Sequence, residues 1–267
     1  MDIWQVSVPG YRHTRAFDAV AMTLQKSITD LGFECGIDHR AEKYVKRWEG
    51  IILGAHLLQG DVSGCIIYNL EQITPESSLV SEHYLSLLRK NKVWDYSKRN
   101  IVELKKLGVD AVHMPIGYHP CLERIGVAEE NVDCLFYGSV NDRRKEVLDS
   151  VEARVVFGVY GVALDREIAS AKVVLNCHFY ETQLFEIVRC SYLLANKKFI
   201  LSEPGLDTEL EAPFREGIEF RPREEWPDMA KYYLEHPYAR GKWANKGYEI
   251  FKNMKQTDYL KDESKSW

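Results

Sequence analysis

The stretch Lys172–Glu203 most constrains what this chain can become, because it reads as strand, loop, helix and strand in succession. Val173, Val174 and Leu175 form a short apolar run between polar residues, as a buried strand does. Leu184, Val188, Ser191 and Ala195 follow at helical spacing, and Ile187 and Leu194 widen the stripe. Lys198 to Leu201 is a second short apolar strand. Two strands joined by a helix pair in parallel with a right-handed crossover. Between them lies a polar and aromatic loop, His178-Phe-Tyr-Glu-Thr-Gln183. In open α/β sheets, ligands bind where such loops leave the carboxyl ends of strands. Thr182 is placed to cap the helix, whose N-terminus would favour an anion.

The rest of the chain repeats that alternation. Ile3–Val8 reads as a strand, Thr14–Leu31 as a helix stopped by Gly32, and 33–37 as the next strand. Short strands follow at 51–55, 65–68, 92–94 and 111–114, with helices over 78–89 and 97–107. Residues 115–131 hold two prolines and two glycines without a clear period, and are expected to connect two domains, 1–120 and 131–267. Beyond them come strands near 132–136, 154–157 and 217–220. Helices are expected over 143–151, 164–171, 224–235 and 238–256, with a frayed end from Lys261 to Trp267. The expectation is α/β: two Rossmann-like domains facing across a cleft, the last helix packing back on the first domain.

Composition narrows the function. The net charge of −5 implies no general basic surface for nucleic acid. No apolar run reaches the ~18 residues of a membrane span, and Met1–Val6 has no signal-peptide character. Six scattered cysteines without CxxC are expected to be reduced and buried, and the location cytoplasmic.

Two constellations carry candidate chemistry. Gly138-Ser139, with Arg143 and Arg144 at a helix start, suits a pyrophosphate: glycine admits backbone close to phosphate and arginine supplies a charged fork. The alternative is a solvated arginine pair beside Asp142 and Glu146. Polar residues also end the strands of the first half: His56, Asn69 with Glu71, Asp95 with Ser97, and Gly117-Tyr118-His119. Parallel strands would gather them on one rim, with His56 and Glu71 read as site residues and Asp95 and Ser97 equally as helix caps.

The segments Leu135–Arg144, Phe157–Gly161 and Phe185-Glu186 resemble the donor-nucleotide half of a GT-B glycosyltransferase, in the glycosyltransferase family 1-like group that includes CgeB-like proteins. The resemblance implies a metal-independent enzyme moving a hexosyl or pentosyl group from a nucleotide-sugar to a glycan or other hydroxyl acceptor. The donor is a substrate, and no cofactor or metal is expected; the chain has no Asp-x-Asp. It implies donor binding by Gly138, Ser139, Arg143, Arg144, His178, Tyr180, Glu181 and Glu186, with Glu186 holding hydroxyls. It also places the loop after the first strand at the cleft, where His13 is expected as general base with Asp18 orienting it, beside His56 and Glu71. The chain departs from the family at Ser191, where many members carry a second glutamate. Two alternatives stand beside this expectation. One is a non-catalytic nucleotide- or sugar-binding module of the same fold. The other is transfer to a modified base in DNA, which the net charge opposes and a local patch of Arg12, Arg15, Arg40, Lys43, Lys46 and Arg47 favours.

Overall fold

The computed structural model describes residues 1–40, 50–265 and 267. They divide into two compact units: Met1–Cys121 with Lys255–Trp267, and Leu122–Met254.

The first unit is built on a sheet of β1 (Ile3–Val6), β2 (Ile37–Arg40), β3 (Ile51–Leu53), β4 (Ile66–Asn69), β5 (Lys92–Asp95) and β6 (Val112–His113). The order is β2-β1-β3-β4-β5-β6, and every pairing is parallel. Its helices are α1 (Asp18–Asp30), α2 (Glu82–Lys90) and α3 (Lys98–Lys106), the latter two capped by the Ser81 and Ser97 hydroxyls. One face of the sheet buries Ile52, Ile67 and Val93 against Leu85, Leu88 and Leu104. Each such side chain contributes about 1.5–3 kcal/mol.

Four local expectations are corrected in this unit and where the chain returns to it. The helix starts at Asp18, because residues 12–17 form turns held by the Thr14 hydroxyl on the Tyr11 carbonyl and by Gln5 Nε2 on the Thr14 carbonyl. The second strand begins at Ile37, where the chain comes into register with Ile3. The end of the chain is not frayed up to Ser264. A further helix, α10 (Gln256–Ser264), packs on α1, and Glu263 accepts from Trp94 Nε1 at 3.1 Å and pairs with Lys92. The expected 238–256 helix stops short because Lys255 is extended and bridges Tyr118, while Gln256 Oε1 accepts from the Gly117 N–H at 2.7 Å.

The second unit has β7 (Val132–Tyr137), β8 (Arg154–Val156), β9 (Ala171–Asn176), β10 (Ile200–Ser202) and β11 (Glu219–Phe220), ordered β11-β10-β9-β7-β8 and again all parallel. Counted along the chain, the arrangement is 2-1-3-4-5, and that of the first unit is 2-1-3-4-5-6. The direction of winding therefore reverses between β7 and β9, which marks the crevice where such sheets take ligands. Its helices are α4 (Asp142–Ser150), α5 (Val162–Ala169), α6 (Ile187–Ala195), α7 (Thr208–Glu211), α8 (Trp226–Glu235) and α9 (Pro237–Lys252). Phe136, Val173, Leu175 and Leu201 pack against Val147, Leu148 and the fully buried Trp226. On α9, Gly247 lets the helix backbone touch the turn before β11: a Cβ on Gly217 would lie 2.3 Å from its Cα.

Candidate functional site

The loops after β7, β9, β10 and β11 lie along one rim of the second sheet and carry most of the candidate donor-binding residues. After β7 the chain turns at Gly138, whose φ of +134° suits glycine. Asn141 then caps α4 through the Arg144 N–H at 3.1 Å, and its amide donates to the Phe179 carbonyl at 2.9 Å, tying the β7 loop to the β9 loop.

Asn176, the last residue of β9, is fully buried. Its amide donates to Glu186 Oε2 at 3.2 Å and to Ser202 Oγ at 3.0 Å. His178 is fully buried as well, with Nδ1 at 3.0 Å from Glu186 Oε2. Burial would lower the imidazole, but the Glu186 charge outweighs it and holds His178 above its ordinary value. For Glu186, burial would raise the carboxyl; His178 first, then Arg144 and Arg189, reverse this and hold it at about 2. Glu186 is thus ionised at neutral pH, and its charge favours the protonated form of His178. Glu186 Oε2 has two close partners, whereas Oε1 meets Arg144 only at 3.4 Å.

The expected arginines occur here, and neither is a solvated surface pair. Arg143 is clamped bidentately by the Glu203 carboxylate, donates to the His178 carbonyl at 3.0 Å, and lies 3.4 Å from the exposed Glu181. Arg144 is buried, donates to the carbonyls of Cys177 and Ser139, and lies 5.1 Å from the ring centroids of both Phe136 and Phe179. Burial, then the charge of Arg189, lowers Arg144 to about 10. Tyr180 packs edge-on against Phe179. Glu203 also accepts from the His178 N–H at 3.1 Å and meets Arg223 at 3.4 Å.

One local expectation is corrected at this loop. Thr182 does not cap α6, which starts at Ile187 because Phe185 is drawn fully into the core against Phe214 and Phe220. Glu186 therefore sits at the N-cap position, with its carboxylate in the polar cluster beside His178 and Arg144. Asn141, Asn176, Arg189 and Glu203 were not singled out from sequence. Asn141 carries a readable signal as an N-cap residue before a helix. Asn176 and Glu203 each end an apolar strand, and the register Ser202↔Asn176 makes them neighbours.

In the first unit, the loops after β1, β3 and β4 share the corresponding rim. His13 follows β1, packs edge-on against Tyr11, and is lowered by burial. Asp18 accepts from Arg15 Nε at 2.7 Å and Gln5 Nε2 at 3.1 Å, so it fixes the start of α1. His56, on the turn after β3, has Nε2 3.6 Å from Glu71 Oε1 and its ring edge-on to Tyr84. Burial lowers His56 to about 4 and raises Glu71 to about 7. Asn69 and Asp95 are fully buried beneath them. Asn69 accepts from Tyr84 Oη and donates to Asp95, whose other oxygen accepts from the Ser97 N–H at the start of α3. His119 pairs with Asp30 at 3.0 Å.

Among the described residues no group of His, Cys, Asp and Glu forms a metal cluster, and no helix is long and apolar enough to cross a membrane. All six cysteines are free thiols, with Cys35 and Cys121 only partly buried. Of the basic patch, Lys43, Lys46, Arg47 and the Arg40 side chain lie outside the described residues.

No family model and no curated protein matches the sequence. Solved structures match it along nearly its whole length. HepE of Anabaena, in complex with UDP and glucose, is 9% identical with a TM-score of 0.64, covering 99% of this chain and 98% of that one. AviGT4, a glycosyltransferase involved in avilamycin A biosynthesis, is 12% identical with a TM-score of 0.59, covering 99% and 97%. T4 phage BGT, in complex with its UDP-glucose substrate, is 12% identical with a TM-score of 0.59, covering 99% of each chain. Likenesses at such identities establish the fold: two parallel α/β sheets of the kind found in GT-B glycosyltransferases.

Proposed function

We propose that this chain transfers a sugar from a nucleotide-sugar donor to a hydroxyl acceptor, with the donor nucleotide on the β7–β9 rim of the second unit. The observation that carries this reading is the polar cluster at the winding reversal, where His178 and Arg144 meet the Glu186 carboxylate and the charge of Arg189 acts on it from further off. A surplus of positive charge at a sheet's ligand crevice suits a diphosphate. The nucleotide-sugars bound by HepE and by T4 phage BGT support the same substrate class.

In this reading Glu186 Oε1 accepts from a donor hydroxyl while Oε2 stays with His178 and Asn176. His178, with Nδ1 3.0 Å from Oε2, fixes the carboxylate. Tyr180 and Glu181 border the nucleotide, and Gly138 and Ser139 bring backbone close to it. Charge developing on the leaving diphosphate is neutralised by arginine instead of a divalent metal. On the first unit's rim, His13 and Glu71 are the groups proposed to take a proton. With its pKa near 7, Glu71 is poised as a base at neutral pH. Asp18 supports the His13 loop through Gln5 and Thr14. The segments that resemble CgeB-like proteins include Phe185-Glu186, one residue in the core and one in the cluster, and that subgroup remains part of the proposal.

The test is a panel of UDP-, GDP-, ADP-, CMP- and dTDP-sugars, following hydrolysis and transfer to simple glycosides and to DNA containing hydroxymethylated bases. Release of nucleotide from one donor supports the reading. A thermal shift with no turnover across all acceptors indicates a binding module instead.

A further inference from the structure

Arg189 differs from every other arginine on the second unit's rim. Arg143, Arg144, Arg221 and Arg223 each have a carboxylate within 4.0 Å. Arg189 has none among the described residues. Among the described residues its one side-chain hydrogen bond runs from Nη1 to the neutral Asn176 Oδ1 at 2.9 Å. Its guanidinium is spread over two rings, 4.9 Å from the Phe136 centroid and 5.3 Å from that of Tyr137. Phe136 therefore carries a guanidinium from Arg144 and another from Arg189. Nη2 lies against the β7 turn, where a Cβ on Gly138 would approach it to 2.8 Å.

This geometry is costly unless something answers it. A partly buried cation with no carboxylate in contact loses hydration and recovers only part of it from the longer-range charge of Glu186. Stacking on two rings and a buried asparagine hold the fork in one orientation, so little side-chain entropy is lost when an anion arrives. The position is the winding reversal itself: Arg189 stands in the first turn of α6, after β9, against the turn that follows β7. The α6 N-terminus adds a favourable dipole for negative charge. Arg143 and Arg144, by contrast, already have their N–H groups committed to Glu203 and to backbone carbonyls.

We infer that Arg189, seated against Gly138, is the residue that binds the diphosphate of the donor, and that Arg143 and Arg144 act as positioning residues. The assignment rests on the proposed nucleotide-sugar reading and names the group that recognises its anionic part. Gly138 is then required for two reasons: its φ of +134°, and the space the Arg189 fork occupies.

The experiment is calorimetry on the wild type, Arg189→Gln and Gly138→Ala, each checked by thermal melt. The probes are inorganic pyrophosphate and the best binder among UDP, GDP, ADP, CDP and dTDP, with its parent nucleoside. The expected result for Arg189→Gln is about tenfold to a hundredfold weaker diphosphate binding with nucleoside affinity unchanged. Gly138→Ala is expected to weaken diphosphate in the same selective way, and decides the matter if Arg189→Gln does not fold. Unchanged diphosphate affinity, or an equal loss on nucleoside and diphosphate, overturns the inference. A wild type that binds pyrophosphate through Arg189 but no nucleoside diphosphate sinks the nucleotide reading and leaves the anion site standing. A wild type that binds neither overturns both.

Discussion

Replacing Glu186 with glutamine keeps the shape of the side chain and removes its charge, which makes it the sharpest probe of the cluster. The carboxyl falls from an ordinary 4.5 to about 2, a difference of some 2.5 pH units. At about 1.36 kcal/mol per unit, the fold favours the ionised form by roughly 3 kcal/mol. Glutamine offers one acceptor oxygen where the carboxylate met His178, Asn176 and Arg144, and its amide would face one of these donors. The expected loss of stability is therefore about 2–3 kcal/mol at pH 5–6. The sign follows from both partners. The Glu186 contribution is present above pH 4.5 and disappears as pH falls toward 2. The His178 contribution, raised by Glu186, is present below 6.5 and disappears as pH rises through its folded value. The destabilisation should be largest between these limits and shrink on either side. Amide exchange in β9 (Ala171–Asn176) isolates the second unit for this measurement. Nucleotide affinity, measured by calorimetry at pH 6, should fall about tenfold, roughly 1.4 kcal/mol. A loss under about 0.5 kcal/mol that does not vary with pH would refute the ion-pair argument. Native stability loss with intact affinity would remove Glu186 from the donor site while leaving its structural role.

Two further outcomes follow. Glu71 is raised by burial to about 7, so the folded state holds its proton where the unfolded chain has lost it, and stability declines as pH rises from 4.5 to 7. Glu71→Gln should flatten that decline by about 1–3 kcal/mol in urea titrations across the window, leaving a remnant from Asp95, which burial also raises to about 7; parallel wild-type and variant curves would contradict the burial argument. Turnover of the cognate nucleotide-sugar should persist in EDTA, and activity abolished by EDTA and restored by Mg²⁺ or Mn²⁺ would contradict arginine-based neutralisation.

The fold was legible because strand and helix periods alternate cleanly, and buried parallel strands such as Val173–Leu175 are bounded by polar residues. What local pattern could not show was where the chain is pulled by distant contacts. Phe185 looks like a helical residue until its packing on Phe214 and Phe220 delays α6 to Ile187. Gln256 looks like the tail of one helix until Gly117 and Tyr118 capture it. The candidate site shows the same division. Gly138, His178 and Glu186 stood out by position, after strands and at a helix start. The fates of Arg143 and Arg144 depended on Glu203 and on the ring of Phe179, which are remote in sequence and come adjacent through the β9–β10 and β7–β9 registers. Arg189 was visible only as a helical neighbour of Glu186, because what distinguishes it is a missing carboxylate.

The central claim is that a nucleotide diphosphate sits on the β7–β9 rim of the second unit. A crystal structure of the chain soaked with the tightest-binding nucleoside diphosphate tests it most directly. The account predicts phosphate density against Gly138 and the Arg189 fork, with a hydroxyl of the nucleoside within hydrogen-bond distance of Glu186 Oε1. Nucleotide density on the other side of the sheet, or only on the first unit's rim, would contradict it.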